Sequence, residues 1–325
     1  MKVLAPAQRT LNLLAIQKPA VTARMIRQVA GLETVVVLDL EDSLWDVADP
    51  ERTSQLKAGA RKDLVELAKT HPEIFLQNKI GARINKATTP EFTADLTALS
   101  EIARILPLSI VVPTKVESAQ ELQQCRQALD NYGVNYQAIV PIVETSEGVA
   151  NLPEIASAAA QLGIPAIVFG HYDYSLSAGH WPFLEFNETG YWEIAGRFID
   201  QVERAGLGYV QAPLFSMYND ALFLGVLGQM NKRCRIPFGM LTFGPRQTKL
   251  CADLAAGRIH AEPAHLREMK ESTEPERIQL AREVQQVYES HRKEGKSFAV
   301  DPRSGRFIAP HQYAAALACL RGAHA

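Results

Sequence analysis

The sequence predicts a closed (β/α)8 TIM barrel with a C-terminal helical extension. Two observations carry that prediction. Short apolar runs alternate about eight times with amphipathic helical stretches along most of the 325 residues. The runs are continuous and do not alternate apolar with polar, as expected of strands buried on both faces of a parallel sheet. A third observation disfavours the main rival, an open doubly wound sheet: no G-x-G-x-x-G follows any candidate strand.

In order, the candidate strands are residues 11–15, 34–40, 80–84, 109–112, 138–143, 166–169, 208–211 and 239–243. Helical patterns fall between them, including 51–70, 90–104, 118–131, 146–162, 189–205 and 216–230. After Gly257 the alternation stops. A charged amphipathic helix is expected over 271–291, then a stretch rich in Gly and Pro, then a short Ala-rich helix over 312–320. We therefore divide the chain into a barrel, 1–256, and an extension, 257–325. The extension is expected to cover the barrel's outside or to reach a neighbouring subunit.

Composition narrows the function classes. A formal net charge of −2 gives no field that favours nucleic acid or an anionic membrane. Cys125, Cys234, Cys251 and Cys319 form no C-x-x-C pair, which fits a reducing cytoplasm without zinc or a disulfide framework. Cys125 and Cys251 are expected to be packing residues. The apolar run LNLLAI near the start is too short for a signal or a membrane span. The expected location is the cytoplasm.

In a barrel of this class the active site lies where strands end. The strand ends here carry Asp39, Glu41 and Asp42, then Arg83 and Asn85, then Lys115 and Glu117, then Glu144, then His171, Tyr172 and Asp173, then Gln211. Glu144 and Asp173 suit a hard divalent cation, Mg2+ with Mn2+ as the alternative. A strand-end carboxylate can also cap the next helix, so the metal reading rests on the pair and not on either acid alone. Arg83 is expected to fork onto a substrate carboxylate or carbonyl oxygen and to act as an electrostatic stabiliser, not as a fold residue. Asp39, Glu41, Asn85 and Gln211 are candidates for substrate binding. Ser43 is expected to do local turn work, and Lys115 to pair with Glu117. His180, His260, His291 and His324 are expected at the surface or in loops.

The motifs VVVLDLEDS, K-A-G-A-R at 57–61, GARIN, VVPTKVES, PIVETSEGVANLPEIA and IVFGHYDYS occur in that order. Together they resemble the HpcH/HpaI aldolase superfamily, and within it the citrate lyase beta-subunit-like branch, from about residue 11 to residue 247. The resemblance implies Mg2+ on Glu144 and Asp173, and Arg83 on the substrate. It implies a carbon–carbon lyase for citryl-, malyl- or citramalyl-type hydroxy acids or their coenzyme A thioesters, assembled as a homotrimer or homohexamer. The chain also departs from the pattern. Ala309 stands where related lyases carry a C-terminal aspartate, and Gln211 stands where an aspartate is expected. His171 and His311 become the candidate acid/base groups, since imidazole titrates near neutral pH. Two alternatives stay open: a ligand-binding or assembly protein that has lost its acid/base group, and an aldolase for free acids that does not use coenzyme A.

Overall fold

Each apolar run becomes a strand, and the strands close on themselves. The computed structural model describes residues 10–236, 238–268, 272–293, 299–300 and 307–323. The barrel strands are β1 (Thr10–Ala15), β2 (Val35–Asp39), β3 (Lys79–Ile84), β4 (Leu108–Pro113), β5 (Tyr136–Ile139), β6 (Ile142–Val143), β7 (Ala166–Phe169), β8 (Gly208–Gln211) and β9 (Gly239–Phe243). All their pairings are parallel, in the order β5-β4-β3-β2-β1-β9-β8-β7-β6. β5 and β6 are halves of the single strand expected over 138–143. They part at Val140-Pro141, where proline has no N–H to donate to a ladder. The Val140 N–H donates to Val111 on one side, and the Pro141 carbonyl accepts from Val168 on the other, both at 2.9 Å. That segment joins the two ends of the sheet, so eight barrel strands form a closed ring.

Side chains alternate between lumen and helix layer, as a two-residue period requires. Leu11, Val35, Val37, Ile110, Val112, Ile142, Val168, Val210 and Leu241 fill the lumen. Val36, Leu38, Ala82, Val111, Ile167, Phe169, Tyr209 and Met240 pack outward against the helices. Following the inward positions to the carboxyl ends of the strands gives Asp39, Arg83, Glu144, Gly170, Ala212 and Phe243. This parity, set by the apolar pattern, delivers the polar cluster described below.

The helices are α1 (Pro19–Arg27), α2 (Pro50–Thr70), α3 (Pro72–Gln77), α4 (Pro90–Ala103), α5 (Ala119–Asn131), α6 (Ser146–Ala150), α7 (Leu152–Gln161), α8 (His171–Ser177), α9 (Thr189–Arg204), α10 (Asp220–Arg233), α11 (Gly244–Ala255), α12 (Glu274–Lys293) and α13 (Pro310–Gly322). Four of them begin with a side-chain cap. Asp49 accepts from Arg52 N–H, Ser118 from Glu121, Thr145 from Gly148 and Asn219 from Leu222. The single helix expected over 146–162 is two helices, α6 and α7. They part at Asn151, whose side chain donates to the Glu117 carbonyl, just ahead of Pro153. Among the described residues no helix is long and apolar enough to cross a membrane.

The chain after α11 runs across α10. The Gln229 amide donates to the Ala264 carbonyl at 2.7 Å, and Gly228 lies so close to the Glu262 backbone that a Cβ there would fall 2.3 Å away. α12 and α13 then pack on each other around Ala281, Val284, Tyr288, Tyr313 and Ala316. Tyr288 and Tyr313 stack at 4.3 Å. Val47 and Trp181, from loops at the carboxyl end of the barrel, join this cluster. Arg292 holds Asp46 at 3.0 Å, and the Phe307 N–H donates to the Phe215 carbonyl at 3.3 Å. The described part of the extension therefore sits over the mouth of its own barrel. Glu271, His324 and most of the Gly- and Pro-rich stretch lie outside the described residues.

Candidate active site

The site is built from neighbouring strands at the barrel mouth. Asp39 closes β2 and Arg83 lies near the end of β3, paired in register. The guanidinium forks onto Asp39, with Nε 2.7 Å from Oδ1 and Nη2 2.6 Å from Oδ2. Nη1 donates to Asp42 Oδ2 at 3.1 Å and lies 3.4 Å from Glu41. Asp39 also accepts the backbone N–H groups of Glu41 and Ser43, both at 3.0 Å. These bonds hold the 3-10 turn Asp42–Leu44 and aim Asp42 inward. Burial by itself would push the Asp39 carboxyl up, but Arg83 outweighs it and holds the pKa below its usual value.

A second cation enters from the loop after β4. Lys115 adopts φ 52°, the left-handed region rarely used by a lysine. Its N–H donates to Glu144 Oε1 at 3.1 Å, while its ammonium bonds Glu41 and lies 3.0 Å from Asp42 Oδ1 and 3.4 Å from Asp173 Oδ1. The third contributor is α13, whose first turn inserts His311. Its Nε2 is 2.9 Å from Asp173 Oδ2 and 3.3 Å from Asp42 Oδ2, and the Trp45 ring meets it at 68°.

Five carboxylates, Asp39, Glu41, Asp42, Glu144 and Asp173, thus face two permanent cations and one imidazole. The charge imbalance shows in the protonation of the cluster. Burial and repulsion from Asp173 drive the Glu144 pKa well above the carboxylate range. Burial and Asp42 raise Glu41 to about 8, against the pull of Lys115. Burial alone would lower His311, yet Asp173 and Asp42 raise it to about 10. Without a bound cation, protons make up the missing positive charge. A divalent ion would serve the same need. Asp42, Asp173 and His311 each offer a ligand atom, all within 4.8 Å of one another. The carboxylate oxygens suit Mg2+, and an imidazole beside them also admits Mn2+. The residues therefore fit a divalent cation, and Glu144 belongs to the same buried charge cluster.

Not every residue singled out in the sequence reaches this centre. Asp39, Arg83, Glu144, Asp173 and His311 line one cavity of about 710 Å³. Gln211 does not line it. Its two-residue offset from Tyr209 turns it toward the helix layer, where its Oε1 accepts from Tyr191 and Tyr209 at 2.8 and 2.7 Å. His171 points into an aromatic layer of Tyr172, Phe186 and Tyr191, away from the cavity. Asn85 is absorbed by the fold: its N–H and side-chain amide donate to Asp95, and Lys57 bonds its oxygen. Glu41 touches the cluster through Lys115 and Arg83 but not the cavity wall. The expected pairing of Lys115 with Glu117 is not found: Glu117 bonds Lys86, because Lys115 is drawn to the denser carboxylate cluster. Cys125 and Cys251 are buried packing residues whose thiols burial pushes up to about 12. Arg83, expected to leave the fold untouched, is nearly buried at the centre of an ion-pair network.

Gly170 shows how closely the acids are set. A Cβ at this position would lie 2.3 Å from Glu144 Oε2 and 2.5 Å from its Cβ. Gly170→Ala is therefore expected to displace Glu144. Overpacking should cost about 1–3 kcal/mol of stability. Misplacement by about 1 Å should lower turnover on the order of 10²-fold. Thermal melts and Mg2+ calorimetry check this; unchanged affinity and stability would refute it.

Comparison with known proteins agrees with the geometry. The family model for HpcH/HpaI aldolase/citrate lyase matches residues 17–212, more than half of the chain. The fold is similar to that of RipC from Yersinia pestis, with 19% identity and a TM-score of 0.55 over 77% of this chain and 96% of that one. CitE from Mycobacterium tuberculosis, in complex with magnesium, acetoacetate and coenzyme A, gives 16% identity and a TM-score of 0.54 over 100% of both chains. The citrate lyase beta subunit from the same organism, with oxaloacetate and magnesium, gives 18% and 0.53 over 76% of this chain and 96% of that one. Among proteins of curated function, none matches the chain. With a family match over more than half its length and the barrel expected of such enzymes, the chain belongs to the HpcH/HpaI aldolase/citrate lyase family.

Proposed function

We propose that the protein is a divalent-metal-dependent carbon–carbon lyase, or aldolase, acting on a hydroxy acid or oxo acid. The observation that carries this reading is the convergence of Asp42, Asp173 and His311 within 4.8 Å at the wall of a half-open cavity. Asp42 and Asp173 would hold the ion, with Glu144 beside them. Such an ion supplies Lewis acidity toward the oxygens of a 2-oxo acid. Magnesium with oxaloacetate or acetoacetate in proteins of the same fold supports that assignment.

The chain's own groups divide the remaining work. Arg83, oriented by its fork onto Asp39, presents fixed positive charge at the cavity wall and favours negative charge developing on the substrate. His311 Nε2 is the nearest proton-carrying group to the acid pair and would exchange a proton with the substrate hydroxyl. Ala309, which lines the cavity two residues earlier, has no proton to exchange. The start of α13, Pro310 and His311, forms part of the cavity wall.

A specific observation favours free acids over coenzyme A thioesters. Among the described residues, the side-chain cations lining the cavity face carboxylates: Lys18 faces Asp63, Arg52 faces Asp46, and Arg83 faces Asp39. A thioester rich in phosphate would have to displace those partners. The test is a panel of 4-hydroxy-2-oxo acids, malate, citramalate and citrate, each free and as its thioester where one exists, with and without Mg2+ or Mn2+. Mg2+-dependent release of a 2-oxo acid or an acetyl unit is the expected result, fastest with a free acid. Tight metal binding with no turnover of any member would replace this reading with that of a ligand-binding protein.

A further inference from the structure

We propose that Asp95 is a positioning residue for the active site, acting through Asn85 on the turn that carries Asp42. This rests on the lyase reading above and names what holds one of its acids in place. Asp95 lies on α4, in the helix layer, and is fully buried. Its Oδ2 accepts both the backbone N–H and the side-chain Nδ2 of Asn85, each at 2.8 Å. Its Oδ1 accepts from Arg61 Nε at 2.6 Å. The same guanidinium donates through Nη2 to the Glu91 carbonyl at 3.2 Å, one turn earlier on α4. Arg61 and Lys57 stand four residues apart on one face of α2, and Lys57 bonds Asn85 Oδ1. The K-A-G-A-R motif, which the chemistry of the site leaves unused, thus supplies Lys57 and Arg61 to this cluster.

One bond runs from the cluster toward the site. Asn85 Nδ2 uses its second hydrogen on the Leu40 carbonyl, at 2.9 Å. Leu40 lies between Asp39 and Glu41, and its own N–H donates to the Arg83 carbonyl at 3.0 Å. In a continuing parallel ladder the Leu40 carbonyl would accept the Asn85 N–H, two residues beyond Arg83. Asp95 takes that N–H instead, and the Asn85 side chain stands in for it. The register of β2 with β3 therefore ends at Asp39 and Arg83. From Leu40 the chain leaves the sheet and enters the 3-10 turn Asp42–Leu44. That turn brings Asp42 to Arg83, Lys115 and His311.

Hydrogen-bond capacity leaves Asn85 a single orientation. A carboxylate and a peptide carbonyl only accept, and an ammonium only donates. Nδ2 must face Asp95 and Leu40, and Oδ1 must face Lys57. Asn85 is buried, so a flipped amide would set donor against donor and leave buried groups unpaired. Lys57, Arg61, Asn85 and Asp95 do not line the cavity. They reach substrate and metal only through the segment 39–42, as the outer hydrogen-bond partners of metal sites do. A buried ion pair such as Arg61 with Asp95 adds little net stability, and its better use is to fix geometry.

The experiment compares the full-length protein with Asn85→Ala, Asp95→Asn and the double variant. Leu64→Ala is the control: it opens a cavity under α2, the helix of Arg61, without removing any of these bonds. Amide exchange over residues 40–44 is read by mass spectrometry, Mg2+ affinity by calorimetry and folding by thermal melt. Both single variants should exchange at least about tenfold faster at 40–44, the scale of losing one buried hydrogen bond. They should bind Mg2+ about 10–100-fold more weakly. The double variant should be no worse than the more affected single one, since one chain of bonds is cut in either place. Leu64→Ala should melt lower yet keep both readings near the unsubstituted values. Asn85→Ala leaves Arg61 and Asp95 paired, so it carries the test if Asp95→Asn does not fold. Unchanged exchange in a folded Asn85→Ala, losses that add in the double variant, or an equal effect of Leu64→Ala would overturn the positioning role and leave the lyase reading intact. Absence of Mg2+ binding by the unsubstituted protein would overturn the metal reading, and exchange would still decide the positioning role.

Discussion

Asp173→Ala is expected to lower kcat/KM by at least about 10²–10³-fold, the scale of losing one preorganised electrostatic contact at a reacting centre, and to weaken Mg2+ binding in the same variant. The expectation follows from position. Asp173 contacts Lys115 at 3.4 Å and His311 at 2.9 Å, so one carboxylate joins the cation cluster to the proton-carrying imidazole. Its removal would take away one of the two carboxylates proposed to hold the ion and would free His311 from its closer anionic neighbour. Asp42→Ala should behave similarly, since Asp42 contacts Arg83, Lys115 and His311. Steady-state kinetics against a substrate identified by the panel, with calorimetry for Mg2+, provides the measurement. Unchanged Mg2+ affinity in Asp173→Ala, Asp42→Ala and Glu144→Ala alike would remove this cluster as the metal site.

Asp39→Ala should destabilise the fold by about 3–5 kcal/mol, because breaking a buried ion pair strands the remaining charge. Arg83 would lose both prongs of its fork, and the N–H groups of Glu41 and Ser43 would lose their acceptor. Arg83→Lys keeps the charge but not the planar fork, so it should lose stability as well as rate. Linkage gives the same pair a pH signature. The folded pKa of Asp39 lies below its ordinary value of 3.8, so the stabilisation is present above pH 3.8. It is lost as pH falls through the folded value. Urea unfolding at neutral pH and toward pH 3 measures both effects; an Asp39→Ala protein as stable as the unsubstituted chain would show that the network contributes nothing to the fold.

These two expectations also show why the sequence could be read only so far. Arg83 was recognisable as a strand-end cation, but its partners stand 41 and 44 positions away. Whether a guanidinium forks onto substrate or onto Asp39 depends on strand register, and no local pattern encodes the register of β2 against β3. Gln211 was recognisable as a strand-end amide, but not the face it takes. Val210 continues the lumen face of β8, so the residue after it must face the helices. The run is continuous, so that parity could be assigned only once the structure placed Val210 in the lumen. His171 follows lumen-facing Gly170 and begins α8, so its direction is set by the helix start and by the aromatic layer it joins.

By itself the sequence determined the barrel and its axis of function. Eight apolar runs of strand length, each followed by a helical pattern, leave few ways to bury both faces of a parallel sheet. Motif order along those runs carried the family. It also determined which acids stand at strand ends, because each polar group follows directly on an apolar run. Tertiary structure alone decided that Lys115 turns from Glu117 into the carboxylate cluster and that Asp42 is part of the site rather than only a turn residue. It also decided that His311 arrives from a helix 138 positions after Asp173. The physical reason is common to all three. Each side chain is placed by long-range electrostatics in a buried cluster, where the lowest-energy pairing depends on every charge present and not on neighbours in sequence.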